Sequence, residues 1–413
     1  MDFSISTEEL AWRDKVRGWA QTTLKRRAVE IDANSEFPRD MMTDLGKMGV
    51  LGMTTSPAYG GSKNSVLAYV MCMEEVARAC GSTALSLAAH NSLSINSILI
   101  NGSEEQKQKY LPPLASGKHI GAWGLTEPGS GSDAGGLATY GVRDGDGWRI
   151  NGSKVFCTNG HFADTLTIMV KTERGASGNK GISAFIVERG TTGLKYGNLA
   201  DKMGLKGSAT SELFFEDMWL PKEQMLGPEG SGFKGALATL ARGRISIGAF
   251  GLGLAQGALD AVEEYARGEG RQAESDGRPL LDNQYFQFGL ADIATQVEAA
   301  RLLVYESAAL ADAGEEFAPQ NSYAKLYASE AGMRAATMAV QLLGPMGTTK
   351  RSFAERVFRD VKLAEIGEGT SEVQRLVIAR HLGLVFPEIV DETANDAGRV
   401  AAKIPATRAA RGT

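Results

Sequence analysis

The sequence predicts a mainly α-helical protein with a β domain in its middle: helical, then β, then helical again. Three observations predict it. Residues 1–120 interleave apolar stripes at helical spacing with Glu, Lys and Arg, and Ala is frequent. Residues 121–228 switch to Val, Ile, Thr and aromatic residues alternating with polar ones between dense turn dipeptides, the pattern of an antiparallel β sandwich or barrel. Residues 229–386 return to long helical patterns, and residues 387–413 lose periodicity in an Ala-, Thr- and Arg-rich tail.

The composition bounds the answer. With 413 residues, 43% of them hydrophobic and 23% charged, the chain reads as globular, with two or three subdomains. A net charge of −5 gives no electrostatic reason to expect nucleic acid or an anionic membrane as partner. No apolar run reaches spanning length, so membrane insertion is not expected. Three cysteines, an odd and low number, argue against a disulfide framework and for a reducing compartment. The acidic N-terminus opens directly into a helix signal at Ser6 to Glu9, with no visible signal or transit peptide. The expectation is a cytoplasmic bacterial protein, with a mature mitochondrial matrix protein as the alternative. His90, His119, His161 and His381 show no metal-ligand spacing; they read as structural, and no metal is expected.

In the first region, helices are expected near Ser65 to Ala79 and Thr83 to Asn101, with Ser103 starting another. In the second, Asp144-Gly145-Asp146-Gly147 separates Tyr140–Arg143 from Trp148–Ile150, a hairpin signal. Strands are expected at Thr165 to Lys171, Gly181 to Glu188 and Ser211 to Glu216. In the third, Leu290, Ile293, Val297, Ala300 and Val304 hold a bundle-like repeat over two heptads.

Three stretches could carry chemistry. Trp123 to Asp133 is Gly-rich but lacks the spacing of a dinucleotide fingerprint and the Gly-Lys-Ser/Thr of a phosphate loop. It is either a tight surface loop or a loop offering N–H groups and hydroxyls (Thr126, Ser132) to a polar ring or phosphate. In Phe156-Cys157-Thr158-Asn159-Gly160, an aromatic ring and a hydroxyl two residues apart share a strand face, which suits a flat heterocycle or a core. Finally, Glu368 sits between Gly367 and Gly369 before a helix. Ser371 and Gln374 have capping-box spacing there, and Gly383 and Pro387 end the element. Alone, such a Glu reads as a surface residue compatible with the helix dipole.

Together the residues resemble the acyl-CoA dehydrogenase family over about residues 5–386. The matching stretches are Leu125–Asp133, Lys154–Gly160, Lys202–Ser208, Gln341–Gly347, Arg359–Lys362 and Gly367–Ser371, in order and at family-like spacing. The resemblance implies an N-terminal helical domain, a middle β domain and a C-terminal four-helix bundle, usually assembled as a homotetramer, a dimer of dimers. It implies FAD as cofactor. Leu125, Thr126 and Thr158 would border the flavin, with Phe156 packed on its ring and Ser132 close by. Gln341 and Gly344 would reach the adenosine or pyrophosphate part from a neighbouring subunit, and Thr370 and Glu372 would line the site. Arg271 and Gln284 would add contacts, with Arg278 or a merely solvated loop charge as alternatives to Arg271.

For substrate, the resemblance implies an acyl-CoA: Ser132 on the pantetheine arm, Arg244 in the CoA channel, Gly369 beside the thioester. Glu368 falls on the catalytic base, removing the α proton while the β hydride moves to flavin N5. Electron-transferring flavoprotein is the implied electron acceptor. Some branches of the family carry the base on the helix holding Ala241–Arg244; the corresponding residue here is Gly243, which has no carboxylate. The base position resembles the short- and medium-chain branches, and Gly367, where many of those relatives carry Tyr, leaves space beside the reacting carbons and points to tolerance for a branched or bulkier acyl group; a short- or branched-chain acyl-CoA is the implied substrate. Ala241 replaces a common Asp, and residues 267–279 form a longer loop than usual. A flavin oxidase, a monooxygenase or a CoA-thioester lyase on the same fold is the alternative reading.

Overall fold

The computed structural model describes residues 5–173, 175–176, 178–268, 278–315 and 318–384. The first helix, α1 (Thr7–Trp19), starts in a capping box between Ser6 and Glu9 and continues through a π-helical stretch (Ala20–Leu24) into α2 (Lys25–Asn34). After α3 (Arg39–Met48) comes α4 (Val66–Ala79), capped by Ser65. Every residue of α4 from Leu67 to Ala77 is buried. A helix buried all round must satisfy its charges internally. Glu74 accordingly accepts from Arg301 and Tyr305, and Glu75 from Arg17. The helix expected near Thr83 to Asn101 is a continuous rod of α5 (Gly81–Ala88), a π stretch (Ala89–Ile95) and α6 (Asn96–Asn101). α7 (Glu104–Ala115) then starts in a capping box at Ser103.

The middle region forms one eight-stranded sheet of β1 (Gly121–Gly124), β2 (Tyr140–Asp144), β3 (Gly147–Thr158), β4 (Thr165–Lys171), β5 (Ile182–Glu188), β6 (Leu194–Leu199), β7 (Thr210–Pro221) and β8 (Met225–Leu226). The sheet is mixed rather than purely antiparallel: β4 pairs in parallel with β1 and, at one position, with β2. β4 shows why. Thr165 to Val170 are all buried, so both faces of the strand are covered, and a strand covered on both faces loses the alternation that marks an antiparallel edge. The β2–β3 hairpin forms at the expected turn, and all three strands expected by pattern are present.

The last region is built on α8 (Gly232–Arg267), with α9 (Gln284–Asp312), α10 (Ala318–Leu343), α11 (Phe353–Ile366) and α12 (Ser371–His381). Ile293, Val297, Ala300 and Val304 of α9 are all buried, as their spacing predicts. Among the described residues α8 is the only helix long and apolar enough to cross a membrane, and 89% of that stretch is buried inside the protein, which makes it a core helix. It approaches α4 so closely that a Cβ on Gly253 would lie 2.3 Å from the Glu74 carbonyl oxygen.

The sheet docks on the bundle through Lys202–Ser208. Leu205 takes a left-handed conformation (φ +51°) and donates its N–H to Asp360 of α11 at 2.5 Å, while a Cβ on Gly204 would lie 2.2 Å from the Arg359 carbonyl oxygen. The buried Asp360 carboxyl is pushed up to about 6 by loss of solvation, opposed by that N–H. Two of the motifs that carry the family resemblance therefore form one joint. His90 is likewise structural: its ring bridges the Gly121 N–H and the Leu114 carbonyl. Cys72, Cys80 and Cys157 are buried free thiols.

Candidate active site

α11 ends at Ile366, and Gly367 leaves the helix with extended angles (φ −71°, ψ 151°) that any residue can adopt. The turn is made by Glu368 itself, at φ +53°, followed by Gly369 at φ +91°. A non-glycine residue in the left-handed region is strained by about 1–3 kcal/mol and is held there only by its surroundings. The cap of α12 is Thr370, whose hydroxyl accepts from the Val373 N–H, and not Ser371 as the spacing had suggested. The reason lies in Gln374. Its side chain is fully buried and turns back to donate to the Gly369 carbonyl (3.0 Å), so it is not free to close a capping box with Ser371.

This geometry aims the Glu368 side chain at α8. Oε2 is buried and, among the described residues, has no hydrogen-bond partner. It rests on Gly243: a Cβ built there would fall 2.1 Å from Oε2 and 3.3 Å from Leu93. The glycine that lacks a carboxylate of its own is thus also the space the Glu368 carboxylate occupies. Burial pushes the Glu368 carboxyl up to about 7, against the lowering effect of Lys325 and Arg244. Arg244 is largely buried; its Nε has no partner, and desolvation draws its pKa down against the charge of Glu368. Lys325, which sequence reasoning missed, is fully buried on α10 and donates to the Gly369 carbonyl at 2.7 Å.

A second group lies on the sheet. Leu125 and Thr126 follow β1, and the Thr126 carbonyl accepts from the Val155 N–H of β3 (2.9 Å). Buried Lys154 donates to the Leu125 carbonyl and to Glu127. Between Lys154 and Cys157 the strand register slips, and Phe156, inside the slip, adopts φ +55° with 71% of its surface exposed. A β-bulge re-aims a side chain in this way, and Thr158 lies half-buried two residues on. Ser132 is exposed in the loop between β1 and β2.

The remaining candidates lie elsewhere. Thr370, half-buried, and Glu372, exposed, open α12 beside Gly369. Gln284 begins α9, while Gln341 and Gly344 lie at the far end of α10, where Leu342 packs on Gly289. Sixteen residues separate Lys325 from Gln341 on α10, about 24 Å at 1.5 Å per residue. Within one chain, therefore, Gln341 does not meet Glu368. Arg271 lies outside the described residues. No group of three potential metal ligands occurs among the described residues.

Comparison with known proteins is decisive at this point. The N-terminal, middle and C-terminal domains of acyl-CoA dehydrogenase match residues 6–118, 122–218 and 230–383. The chain belongs to the acyl-CoA dehydrogenase family. It is 45% identical over 379 residues to a short-chain specific acyl-CoA dehydrogenase of Clostridium acetobutylicum, covering 92% of this chain and 99% of that one. The structure of butyryl-CoA dehydrogenase from Megasphaera elsdenii superposes with a TM-score of 0.89 at 39% identity, covering 92% of this chain and 100% of that one. A chain from a structure described as electron transferring flavoprotein of Acidaminococcus fermentans also superposes at 0.89, with 41% identity and coverage of 92% and 99%.

The dehydrogenase is an FAD enzyme, and its residues fit that cofactor. The Phe156 ring, 71% exposed, offers an apolar face beside the loop that follows β1. Among the described residues the buried Trp123 Nε1–H has no acceptor, and no heavy atom beyond the adjoining residues lies within 4 Å of a Cβ built at Gly129 or Gly131. These are properties of a surface shaped for a flat, polar-edged partner.

Proposed function

We propose that this dehydrogenase converts a short- or branched-chain acyl-CoA to the 2-enoyl-CoA, with Glu368 as the base. The observation that carries the reading is the enclosed Glu368 Oε2, which lacks any partner and is raised to about 7 by burial. Such a carboxylate is a far stronger base than a solvated one while remaining half-ionised near neutrality. In the proposed step the α C–H bond breaks and its proton passes to Glu368. The thioester carbonyl that acidifies this bond is polarised by the Glu368 backbone N–H. FAD, when bound, supplies the acceptor for the β hydrogen and its electron pair, which leaves a carbon–carbon double bond in the product.

Leu125, Thr126, Ser132, Phe156 and Thr158 would hold the flavin end, with Thr370 and Glu372 beside it. Gln284, Gln341 and Gly344 would serve the adenosine end of the cofactor in a neighbouring subunit of a homotetramer. Arg244, with an unpartnered Nε, and Ser132 and Gly369 would hold the acyl-CoA. The short-chain relative in Clostridium and the butyryl-CoA dehydrogenase likeness support a short acyl group. Gly367 supports tolerance for a branch: a Cβ there would meet only its own helix turn, at 3.5 Å or more. The Acidaminococcus likeness supports an electron-transferring flavoprotein as acceptor, and the bacterial relatives a cytoplasmic setting.

A panel of acyl-CoAs scored by anaerobic flavin bleaching tests the reading. Short and branched thioesters should bleach the flavin, and Glu368→Gln should retain FAD while losing bleaching by at least about a thousandfold. Bleaching at near wild-type rate in that variant would overturn the base assignment. Rapid peroxide formation in air would favour an oxidase.

A further inference from the structure

α10 carries a ridge of three buried polar residues four apart, Asn321, Lys325 and Ser329. Residues at this spacing share one helix face. Each donates to a carbonyl on a neighbouring segment: Asn321 to Ala241 (2.9 Å), Lys325 to Gly369 (2.7 Å) and Ser329 to Ala364 (2.8 Å). The ridge thus ties α8, the turn after Glu368 and the last turn of α11 to one rod. Two of the three ties use neutral side chains. The middle one uses a fully buried ammonium that makes a single hydrogen bond among the described residues, leaving two donors unused.

For holding a carbonyl alone, this is a costly choice. An uncompensated buried cation is penalised far more than a buried amide or hydroxyl, and Gln374 already donates to the same carbonyl. What distinguishes the middle tie is its neighbour. Lys325 faces Glu368, with Glu365 and Glu372 further contributing and Arg244 opposing as a like charge. From the other side, the charged and titratable groups felt by Glu368 are Lys325 on α10, Arg244 on α8 and Tyr69 on α4.

We propose that Lys325 is a positioning residue for the base: its bond to the Gly369 carbonyl holds the left-handed turn that presents Glu368, and its buried charge sets the ionisation of that carboxylate without touching it. The division of labour is geometric. The ammonium is directed at the Gly369 carbonyl, and among the described residues it forms no contact ion pair with Glu368 that would quench the base. Its charge, with that of Arg244, favours the ionised form of the carboxylate against the effect of burial. In support, burial lowers Lys325 to about 8 against the attraction of Glu368, so the cation persists at neutral pH. The inference rests on Glu368 being the base.

The test uses the holoenzyme and the pH profile of kcat/KM with the best acyl-CoA of the panel. In Lys325→Met the acidic limb should move up by about one pH unit, lowering turnover at pH 7 about fivefold. Above pH 9 the pH-dependent part of the loss should vanish, leaving only the pH-independent deficit from the lost Gly369 tie. Lys325→Arg should leave the limb in place. The second readout needs no turnover: infrared titration of the protonated carboxyl band that Glu368→Gln removes, whose midpoint should rise by the same amount. If Lys325→Met is not recovered folded, Lys325→Gln is read in its place and must also move both midpoints upward. Unmoved midpoints in the charge-free variants overturn the inference. If Glu368→Gln keeps its activity, it is the base assignment that fails, a separate result.

Discussion

The protein sets two enclosed glutamate carboxyl groups near two fully buried lysines, and treats them in opposite ways. In the sheet, Glu127 and Lys154 form a contact ion pair. Glu127 also accepts from the Ala138 and Thr139 N–H groups, and Lys154 donates to Leu125. Burial alone would raise the Glu127 carboxyl, but the lysine and the N–H donors outweigh it and hold the group below its ordinary range. In the bundle, Glu368 has no hydrogen-bond partner on Oε2, its lysine is turned to a carbonyl, and burial prevails. The first pair staples the loop beneath Leu125 and Thr126 and has no free valence for chemistry. The second leaves a carboxylate available. What separates structure from reactivity here is whether the carboxylate is itself paired: Glu127 accepts from a lysine and two N–H groups, whereas Glu368 Oε2 accepts from none among the described residues.

The largest effect should come from breaking the staple. Glu127→Gln leaves Lys154 buried without its counter-ion, which should lower stability by about 3–5 kcal/mol and loosen FAD, read by denaturant unfolding and flavin retention. Glu127→Leu combined with Lys154→Met should recover most of that loss. The opposite sign is expected at the base. Glu368 is raised from 4.5 to about 7 in the folded protein, so the native state binds the proton more tightly than the unfolded one. Stability from this group is then fully present below pH 4.5 and lost as pH rises through 7. Glu368→Gln should therefore be more stable than wild type at pH 8, by at most about 3 kcal/mol, with no gain below pH 4.5. Equal stabilities at pH 8 would break the contrast between the two sites.

Gly243→Ala sharpens it. The added methyl would displace Oε2, so kcat/KM should fall about a hundredfold while helix propensity adds up to about 1 kcal/mol of stability. The smallest pair compares the two glycines beside the base. Gly369→Ala, at φ +91°, should cost about 1–3 kcal/mol, whereas Gly367→Ala should stay within about 0.5 kcal/mol, both read by thermal unfolding.

Much of this was legible along the chain because it is local. Ser65 and Ser103 cap the helices they precede, the Asp144–Gly147 turn makes its hairpin, and four of the five α9 repeat positions are buried, with Leu290 half-buried at the start. The misses share a cause, which is that the deciding neighbour is distant in sequence. The parallel pairing of β1 with β4, which makes the sheet mixed, has no local signal. Glycines 367 and 369 suggested backbone freedom around Glu368, yet the strained angle is on Glu368 itself, fixed by Lys325 and Gln374 through Gly369. Thr370 rather than Ser371 caps α12 because Gln374 is engaged elsewhere. Phe156 was expected on a regular strand face; the register slip that exposes it depends on how β7 pairs across from it. Lys325 did leave a trace, a cation among the alanines at positions 324, 328, 331 and 335, and an i+4 polar row is the pattern that could have flagged it.

The joint between Leu205 and Asp360 has a consequence for dimensions. Asp360 stands six residues before the end of α11, and Glu368 is presented two residues beyond that end. One rigid bar is thus clamped to the sheet at one point and carries the proton acceptor at its tip. Under the proposed reaction, a proton and a hydride must leave adjacent carbons toward opposite collectors, one on the bundle and one lodged against the sheet. Under that reading, the gap between those collectors is gauged by the length of this bar, so the enzyme's working tolerance is machined into the helix between its clamp and its tip.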